Sequence, residues 1–267
     1  MLNPQRLARH PALSAPWRWA VVGAIVGLVM AVLVYAPASW LATALRDASG
    51  GRVQLIEPRG TIWTGSARLQ LTGGDGSRDS AVLPGKVDWR IRPGWLVLNM
   101  ELSADCCTTT PLQGRLTQHW SGTSLQILDG RSQWPAALLA GLGTPWNTVQ
   151  AEGNLQLSTQ GLSMAWFEGR LSVSGGAELA AIALSSRLST LKPMGSYRLQ
   201  LIGGSTPTLE LATIEGSLQL SGRGTWTGPS LRFEGVASAT PEHEAALTNL
   251  LNIIGRRNGA RSIITLG

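Results

Sequence analysis

Apolar and polar side chains alternate through residues 60–102, and this alternation constrains the fold more than any other feature of the sequence. In the first arm the two classes have opposite parity: Trp63, Ala67, Leu69 and Leu71 against Thr64, Ser66, Arg68, Gln70 and Thr72. Successive side chains of a strand point to opposite faces of its sheet. A period of two is therefore typical of a strand with one buried and one solvated face.

The same pattern recurs twice within this stretch. Val87, Trp89 and Ile91 alternate with charged residues, and Pro93-Gly94 then marks a turn. A third arm follows, with apolar residues again in phase: Leu96, Leu98, Met100 and Leu102. The sequence predicts three antiparallel strands with tryptophans on their apolar face.

Short alternating segments continue to the end of the chain and predict about twelve strands in total. One helix interrupts them at 241–254, where apolar residues recur at helical spacing after Thr240-Pro241. The predicted fold is mainly β, with one or more curved or folded-over antiparallel sheets, an N-terminal transmembrane helix and this C-terminal helix packed on the sheet. The predicted core residues are Trp63, Trp89, Leu218, Leu220, Trp226 and Leu250.

One short helix cannot cover twelve strands, so the apolar face must be buried in another way. Either the sheet folds over on itself as a sandwich, or it curls into a groove. The alternation leaves both arrangements open.

An apolar segment near the N-terminus predicts a membrane anchor. Residues 19–40 contain no charged side chain, and roughly 20 apolar residues are enough for a helix to cross the hydrocarbon layer. Trp17, Trp19, Tyr35 and Trp40 lie at the ends of the segment, as interfacial anchors do. The alternative is a cleaved signal peptide. Against it, the run is longer than an ordinary signal core, and the small-residue site at 36–38 contains Pro37.

The distribution of charge predicts how this anchor is oriented. Three of the six net positive charges, Arg6, Arg9 and Arg18, precede the apolar segment, and no acid accompanies them. By the positive-inside rule the N-terminus stays in the cytoplasm and the bulk of the chain lies in the bacterial periplasm, anchored in the inner membrane. The remaining charge is mild and forms no basic patch with interleaved aromatics, so nucleic-acid binding gains no support.

These features divide the chain into four regions. The predicted regions are a cytoplasmic tail at 1–18, a transmembrane helix at 19–40, a first periplasmic β half at 41–150 and a second at 151–267. The division into halves rests on a similarity between residues 60–65 and 223–228, each with a tryptophan between threonines. The alternative is that a tryptophan strand next to a glycine is simply common in β proteins.

The only cysteines, Cys106 and Cys107, are adjacent. In an exported domain they either close a local disulfide or remain thiols, and the disulfide is the preferred interpretation. No histidine or acid at ligand spacing accompanies them, which argues against zinc. No cofactor is expected.

The sequence does not indicate an enzyme. Its three histidines lie near no serine or cysteine in a recognisable catalytic spacing, and no nucleophile-elbow motif occurs. Asp88, beside Trp89, and His119 both fall on the polar parity of predicted strands. A solvated, arginine-paired carboxylate is the simpler interpretation of Asp88.

Several motifs in shared order resemble type II secretion system protein N, the GspN family. They are the N-terminal span, residues 60–65, residues 87–93, residues 194–199, residues 211–216, and residues 235–255 with the C-terminal helix. Cys106-Cys107 and the glycine-rich loop at 73–77 are departures from the family pattern.

The resemblance implies a non-enzymatic accessory component of the machine that exports folded proteins across the outer membrane. The implied partners are the membrane, the assembly-platform components L, M and C, and the secretin, component D. The family is also distantly similar to AsmA-like proteins, which implies, as an alternative function, a groove that binds or transfers lipid in the cell envelope.

Overall fold

The computed structural model of the protein describes residues 17–167, 170–227 and 230–266. The chain divides after Ala36 into a helical unit and a β-rich unit that begins at Pro37. Residues 1–16, most of the predicted cytoplasmic tail, lie outside the described residues.

The helical unit contains helix α1, Trp17–Val34, whose 18 residues have a mean hydropathy of 2.1 and bury no side chain. At about 1.5 Å per residue its length is about 27 Å, close to the thickness of a hydrocarbon layer of about 30 Å. The helix ends earlier than the predicted span at 19–40. Pro37 has an extended backbone and cannot continue a helix from the preceding residues, and helix α2, Ala38–Ala48, begins after it. Residues 38–40 of the predicted span therefore belong to α2.

Sixteen strands form one antiparallel sheet in the described part of the chain. Their bounds are β1 Val53–Gly60, β2 Thr64–Thr72, β3 Ser80–Val82, β4 Val87–Pro93, β5 Val97–Ala104, β6 Leu112–His119, β7 Gly122–Ile127, β8 Gly130–Pro135, β9 Glu152–Phe167, β10 Arg170–Ser185, β11 Gly195–Gly204, β12 Thr208–Gly216, β13 Leu218–Thr227, β14 Ser230–Ala239, β15 Arg256–Asn258 and β16 Arg261–Leu266. The mainly β, antiparallel class predicted from the sequence is confirmed.

The strand order is nearly sequential: β1-β2-β4-β5-β6-β7-β9-β10-β11-β12-β13-β14-β16-β15, with β3 paired to β2 and β8 paired to β9. There are more strands than the twelve predicted, because β3, β8 and β15 are too short or too polar to show a clear alternation. The sheet is also continuous across residue 150, since β9 pairs with β7 and β8 on one side and with β10 on the other.

Strands β9 and β10 are each 16 residues long because each joins two segments that the sequence shows as separate runs. The register shifts between Ser174 and Gly176, opposite Gly161. Gly161 and Gly175 both have positive φ, and a side chain on Gly175 would lie 2.1 Å from the carbonyl oxygen of Gly161. These two glycines form a bulge that breaks the alternation.

Because consecutive strands run in opposite directions, their connections gather at two ends of the sheet. The connections at 61–63, 94–96, 120–121 and 205–207 lie at one end, where the pairs Phe167–Arg170 and Thr227–Ser230 also lie. Pro37 forms an isolated bridge with Thr61, so the β-rich unit also begins there. We call this the Pro37 end and the opposite one the distal end.

Helical segments cover the apolar face in three places. Helix α4, Glu244–Ile254, buries Leu247, Leu250 and Leu251, which are spaced to share one face of the helix. They join a first cluster that includes a 3₁₀ segment at Ala136–Leu142 and helix α3, Trp146–Val149. A second cluster surrounds Leu83, Val87 and Leu138, and a third packs Ala38 of α2 on Ala67 and Trp89.

The predicted helix at 241–254 begins with a short 3₁₀ turn, Pro241–His243, before α4. The Oγ1 atom of Thr240 lies 3.1 Å from Nδ1 of His243 and makes no capping hydrogen bond to the backbone. At the other side of the helix, Ser262 of β16 donates a hydrogen bond to the carbonyl of Leu251. An ion pair of 3.1 Å joins Glu244 to Arg257. Helix α4 is thus attached to the last strands through both apolar and polar contacts.

Candidate functional site

The predicted core residues differ in how deeply the structure buries them. Trp89 is 6 % exposed, and Leu218 and Leu250 are also buried. Leu220 is partly buried and packs against the first cluster. Trp63 and Trp226, which lie at the Pro37 end, are half-buried.

Trp89 holds the first turn of the sheet against β4. Its indole Nε1 donates to the carbonyl oxygens of Thr61 and Ile62, at 3.3 and 3.1 Å. Its ring covers Gly65, where an added Cβ would lie 2.5 Å from Cζ2 of the indole. Gly65 of the 60–65 motif is therefore required by the close packing of the Trp89 ring.

The two cysteines are joined by a disulfide in the turn between β5 and β6, at the distal end. Cys107 is buried with Leu83 and Val87, whereas Cys106 is exposed. The carbonyl of Cys107 accepts a hydrogen bond of 2.8 Å from the backbone of Gln133 at β8. The disulfide thus lies where the turn between β5 and β6 packs on the core.

The first edge of the sheet, β1, is protected from pairing with another strand. Its register with β2 is interrupted between Ile56 and Arg59, where Glu57 has a φ of 54° and Pro58 lacks an N–H. Helix α2 also packs along this strand. Bulges, prolines and covering helices are the usual means by which proteins prevent edge pairing.

At the other edge the outermost strand, β15, covers only part of β16. The three residues of β15 pair with Arg261–Ile263 of β16. Ile264 and Thr265 continue beyond β15 and pair only inwards, with Gly235 and Glu234 of β14. Among the described residues, no strand lies on the outer side of these two positions. We call residues 264–265 the open edge. The sequence predicts a strand here, but not that it lies at the margin of the sheet.

The polar face of the sheet carries exposed ion pairs between neighbouring strands. Glu101 lies 3.7 Å from Arg90 and 3.8 Å from Arg92, and Arg198 lies 3.4 Å from Glu178. Exposed pairs of this kind contribute about 0–1 kcal/mol each, so this face is primarily a solvated surface.

The structure does not bring Asp88 and His119 together. Asp88 is exposed on β4 between Ser66 and Ser103, whereas His119 ends β6 at the Pro37 end. His119 Nε2 lies 3.2 Å from Ser124 Oγ, and its ring is 5.7 Å from that of Phe167. In the described ranges no three His, Cys, Asp or Glu side chains are grouped as a metal site would require.

An apolar row crosses five adjacent strands, β5, β6, β7, β9 and β10, on the face opposite the ion pairs. Its members are paired in register: Leu98 with Leu116, Leu116 with Leu125, Leu125 with Met164, and Met164 with Val173. None of them belongs to the three covered clusters. Leu98, Leu116, Leu125 and Met164 are half-buried. We call the five residues Leu98, Leu116, Leu125, Met164 and Val173 the apolar row.

One buried ionisable group is strongly perturbed. Burial raises the pKa of the Tyr197 phenol far above its usual value, because the phenolate would lose its hydration. Its hydroxyl has no hydrogen-bond partner among the residues that the structure describes. Tyr197 packs with Leu218 and Leu247 in the first cluster and remains neutral at physiological pH, which suits a core residue.

Comparisons with known proteins identify the family of the chain. No curated protein and no solved structure matches it. The family model of type II secretion system protein N matches residues 51–264, which covers all sixteen strands except the last residues of β16. The match includes all the motifs on which the resemblance in the sequence rests except the N-terminal span. The chain therefore belongs to the family of type II secretion system protein N.

Proposed function

We propose that this chain is a non-enzymatic accessory component of the type II secretion machinery that contacts the assembly platform and the secretin through its β-rich unit. Family membership supports a role in type II secretion and association with other components of the system. The observation that carries the finer proposal is the open edge, because it offers a defined place for a partner.

An exposed strand edge recognises a partner through its main chain. Unpaired N–H and C=O groups of an edge strand form a template for an added strand, and side-chain pockets then give specificity. The bulged, proline-containing and helix-covered β1 is poorly suited to this use. The open edge has β14 behind it and α4 packed nearby, so its backbone is held in an extended conformation before a partner arrives.

The proposed location follows from α1 and the charge around it. Helix α1 is long and apolar enough to span the inner membrane once. In the sequence, Arg6 and Arg9 precede this helix and Arg18 lies in its first turn, which favours a cytoplasmic N-terminus. In this orientation the β-rich unit lies in the periplasm, the compartment shared by the periplasmic parts of the platform and by the secretin.

Site-specific crosslinking tests the open edge. A photoreactive amino acid placed at Thr265 in the full chain, in cells with an intact secretion system, is expected to give crosslinks to platform or secretin components. The matched control is Glu234, its cross-strand neighbour on β14, which is equally exposed but lies one strand inside the sheet. Crosslinks from Thr265 but not from Glu234 are the expected result. Equal crosslinking at both positions, or none at Thr265, would contradict an edge contact.

A second function, binding of lipid by the apolar face, is favoured by the apolar row. Four strands present in-register, half-buried apolar side chains that the three covered clusters do not include, and the row ends at the buried Val173 on a fifth strand. Burial of apolar surface contributes about 25 cal/mol per Å², so an acyl chain lying along this row would be held by the hydrophobic effect alone.

Native mass spectrometry of the full chain, released from its membrane, tests this second function. A co-purifying phospholipid is expected, and it should be lost in Leu116→Lys, which places a charge in the middle of the row. The control is Arg115→Lys, one residue away on the polar face. A lipid-free wild-type chain, or equal lipid content in Leu116→Lys, would contradict the proposal.

A further inference from the structure

The tryptophans of the β-rich unit are concentrated at one end of the sheet. Of the eleven in the chain, Trp63, Trp95, Trp120, Trp166 and Trp226 all lie in or beside the connections at the Pro37 end, as does Trp40 in the first turn of α2. Trp95 is 92 % exposed, Trp120 is fully exposed, and Trp166 and Trp40 are about half exposed. Leu96, Leu171 and Ile202 add further exposed apolar side chains at this end.

Charge is distributed in the opposite way. The described connections at the Pro37 end, 61–63, 94–96, 120–121 and 205–207, contain no charged residue. The connections at the distal end contain many: Asp75, Arg78 and Asp79 in one, Lys86 in the next, Asp105 in the turn with the cysteines, and Arg187 with Lys192 between β10 and β11. The described connections of the two ends thus differ sharply in charge.

The turn between β4 and β5 shows that this exposure is built into the fold. Leu96 has a φ of 56°, a conformation that costs a leucine free energy and that glycine or asparagine adopts readily. The turn is closed by a hydrogen bond from Gly94 N–H to the carbonyl of Val97, and the Leu96 carbonyl accepts from Gln118 of β6. The backbone is therefore fixed by the ladder, and the leucine side chain is held in solvent.

Chain length limits how far this end can lie from the apolar helix. Pro37, bridged to Thr61, follows the last residue of α1 by three positions. Three peptide units span at most about 11 Å. The chain itself therefore keeps Pro37 within that distance of Val34.

We propose that the tryptophan-bearing connections at the Pro37 end insert into the phospholipid headgroup region of the membrane that α1 spans. Tryptophan is the residue best suited to this interface, because its ring is largely apolar and its N–H bonds to water and headgroups. The four described connections bring no charge of their own to the boundary with hydrocarbon. This inference rests on the membrane anchor and does not depend on which secretion component the chain meets.

Fluorescence quenching in reconstituted vesicles tests the insertion. The full chain carrying Ser121→Cys is labelled with an environment-sensitive fluorophore, while the Cys106–Cys107 disulfide leaves no other thiol to react. In vesicles of phosphatidylethanolamine and phosphatidylglycerol, a nitroxide on the lipid headgroup is expected to quench this label several-fold more than the same label at Arg78→Cys. Position 78 is an exposed site at the distal end and serves as the matched control.

A second set of variants separates insertion from mere proximity. Trp95→Ser with Leu96→Asn removes two exposed apolar side chains from the neighbouring turn and relieves the strained φ, so the chain should melt at the same or a higher temperature. Quenching at position 121 should nevertheless fall to near the level at position 78. Equal quenching at 121 and 78 in the parent chain would overturn the proposal and would favour a protein partner as the binding partner of these tryptophans. Unchanged quenching in the double variant would overturn it as well.

Discussion

Replacing Trp89 with alanine is expected to lower the free energy of unfolding by about 3–5 kcal/mol, the range for removal of a large buried aromatic side chain. Trp89 is 6 % exposed, packs with Ala38 and Ala67, and covers Gly65. The variant also leaves the carbonyls of Thr61 and Ile62 without their indole donor. Both effects loosen the first turn of the sheet and the packing of α2 on the sheet.

Thermal or denaturant unfolding of the full chain in detergent, followed by circular dichroism, measures this loss. The control is Trp95→Ala, six residues further along, where the side chain is 92 % exposed and no core contact is lost. The control should change stability by less than about 0.5 kcal/mol, as surface substitutions generally do. Similar melting of the two variants would mean that Trp89 does not face the core.

Leu247→Ala is the second substitution with a large expected effect, about 2–5 kcal/mol. Leu247 is fully buried at the centre of the face that α4 turns towards the sheet, together with Leu250 and Leu251. The space it leaves is bordered by several elements and cannot close by a small shift of one side chain. Because α4 is attached to β16 through Ser262, loosening the helix should also loosen the strand that carries the open edge.

The matched control is Ile253→Ala on the same helix, where the isoleucine is 39 % exposed. In full-length Leu247→Ala, the rate of amide hydrogen exchange relative to the parent chain should rise more in 261–266 than in β4. Ile253→Ala should show neither this rise nor the loss of stability. If protection of 261–266 is unchanged in Leu247→Ala, then α4 does not support the open edge.

Local features of the fold could be predicted from the sequence. The alternation through β2, β4 and β5 gives their faces, because a period of two has a single structural interpretation when one side is apolar. The helical spacing of Leu247, Leu250 and Leu251 similarly gives the inward face of α4. The family could be recognised because its motifs keep their order along the chain.

The features that matter for binding are non-local and could not be predicted in the same way. Strand order decides that β16, with only the short β15 outside it, lies at the margin of the sheet. Nothing in the alternation of residues 261–266 differs from that of an inner strand. The bulge at Gly161 and Gly175 interrupts the alternation, so β9 and β10 each read in the sequence as two separate apolar runs. The cluster of tryptophans at the Pro37 end could not be predicted either, because its turns are far apart in the sequence and become neighbours only through strand pairing.

The unequal edges of the sheet set the stoichiometry of any contact made by strand pairing. A sheet that could pair at both margins would let copies join head to tail without closure, which produces filaments. Here the bulge at Glu57 with Pro58 and helix α2 obstruct one margin, so that β15 and the stretch at 264–265 on the other margin are left for pairing. Each chain therefore has one margin available, so an assembly built through this contact ends after a single addition.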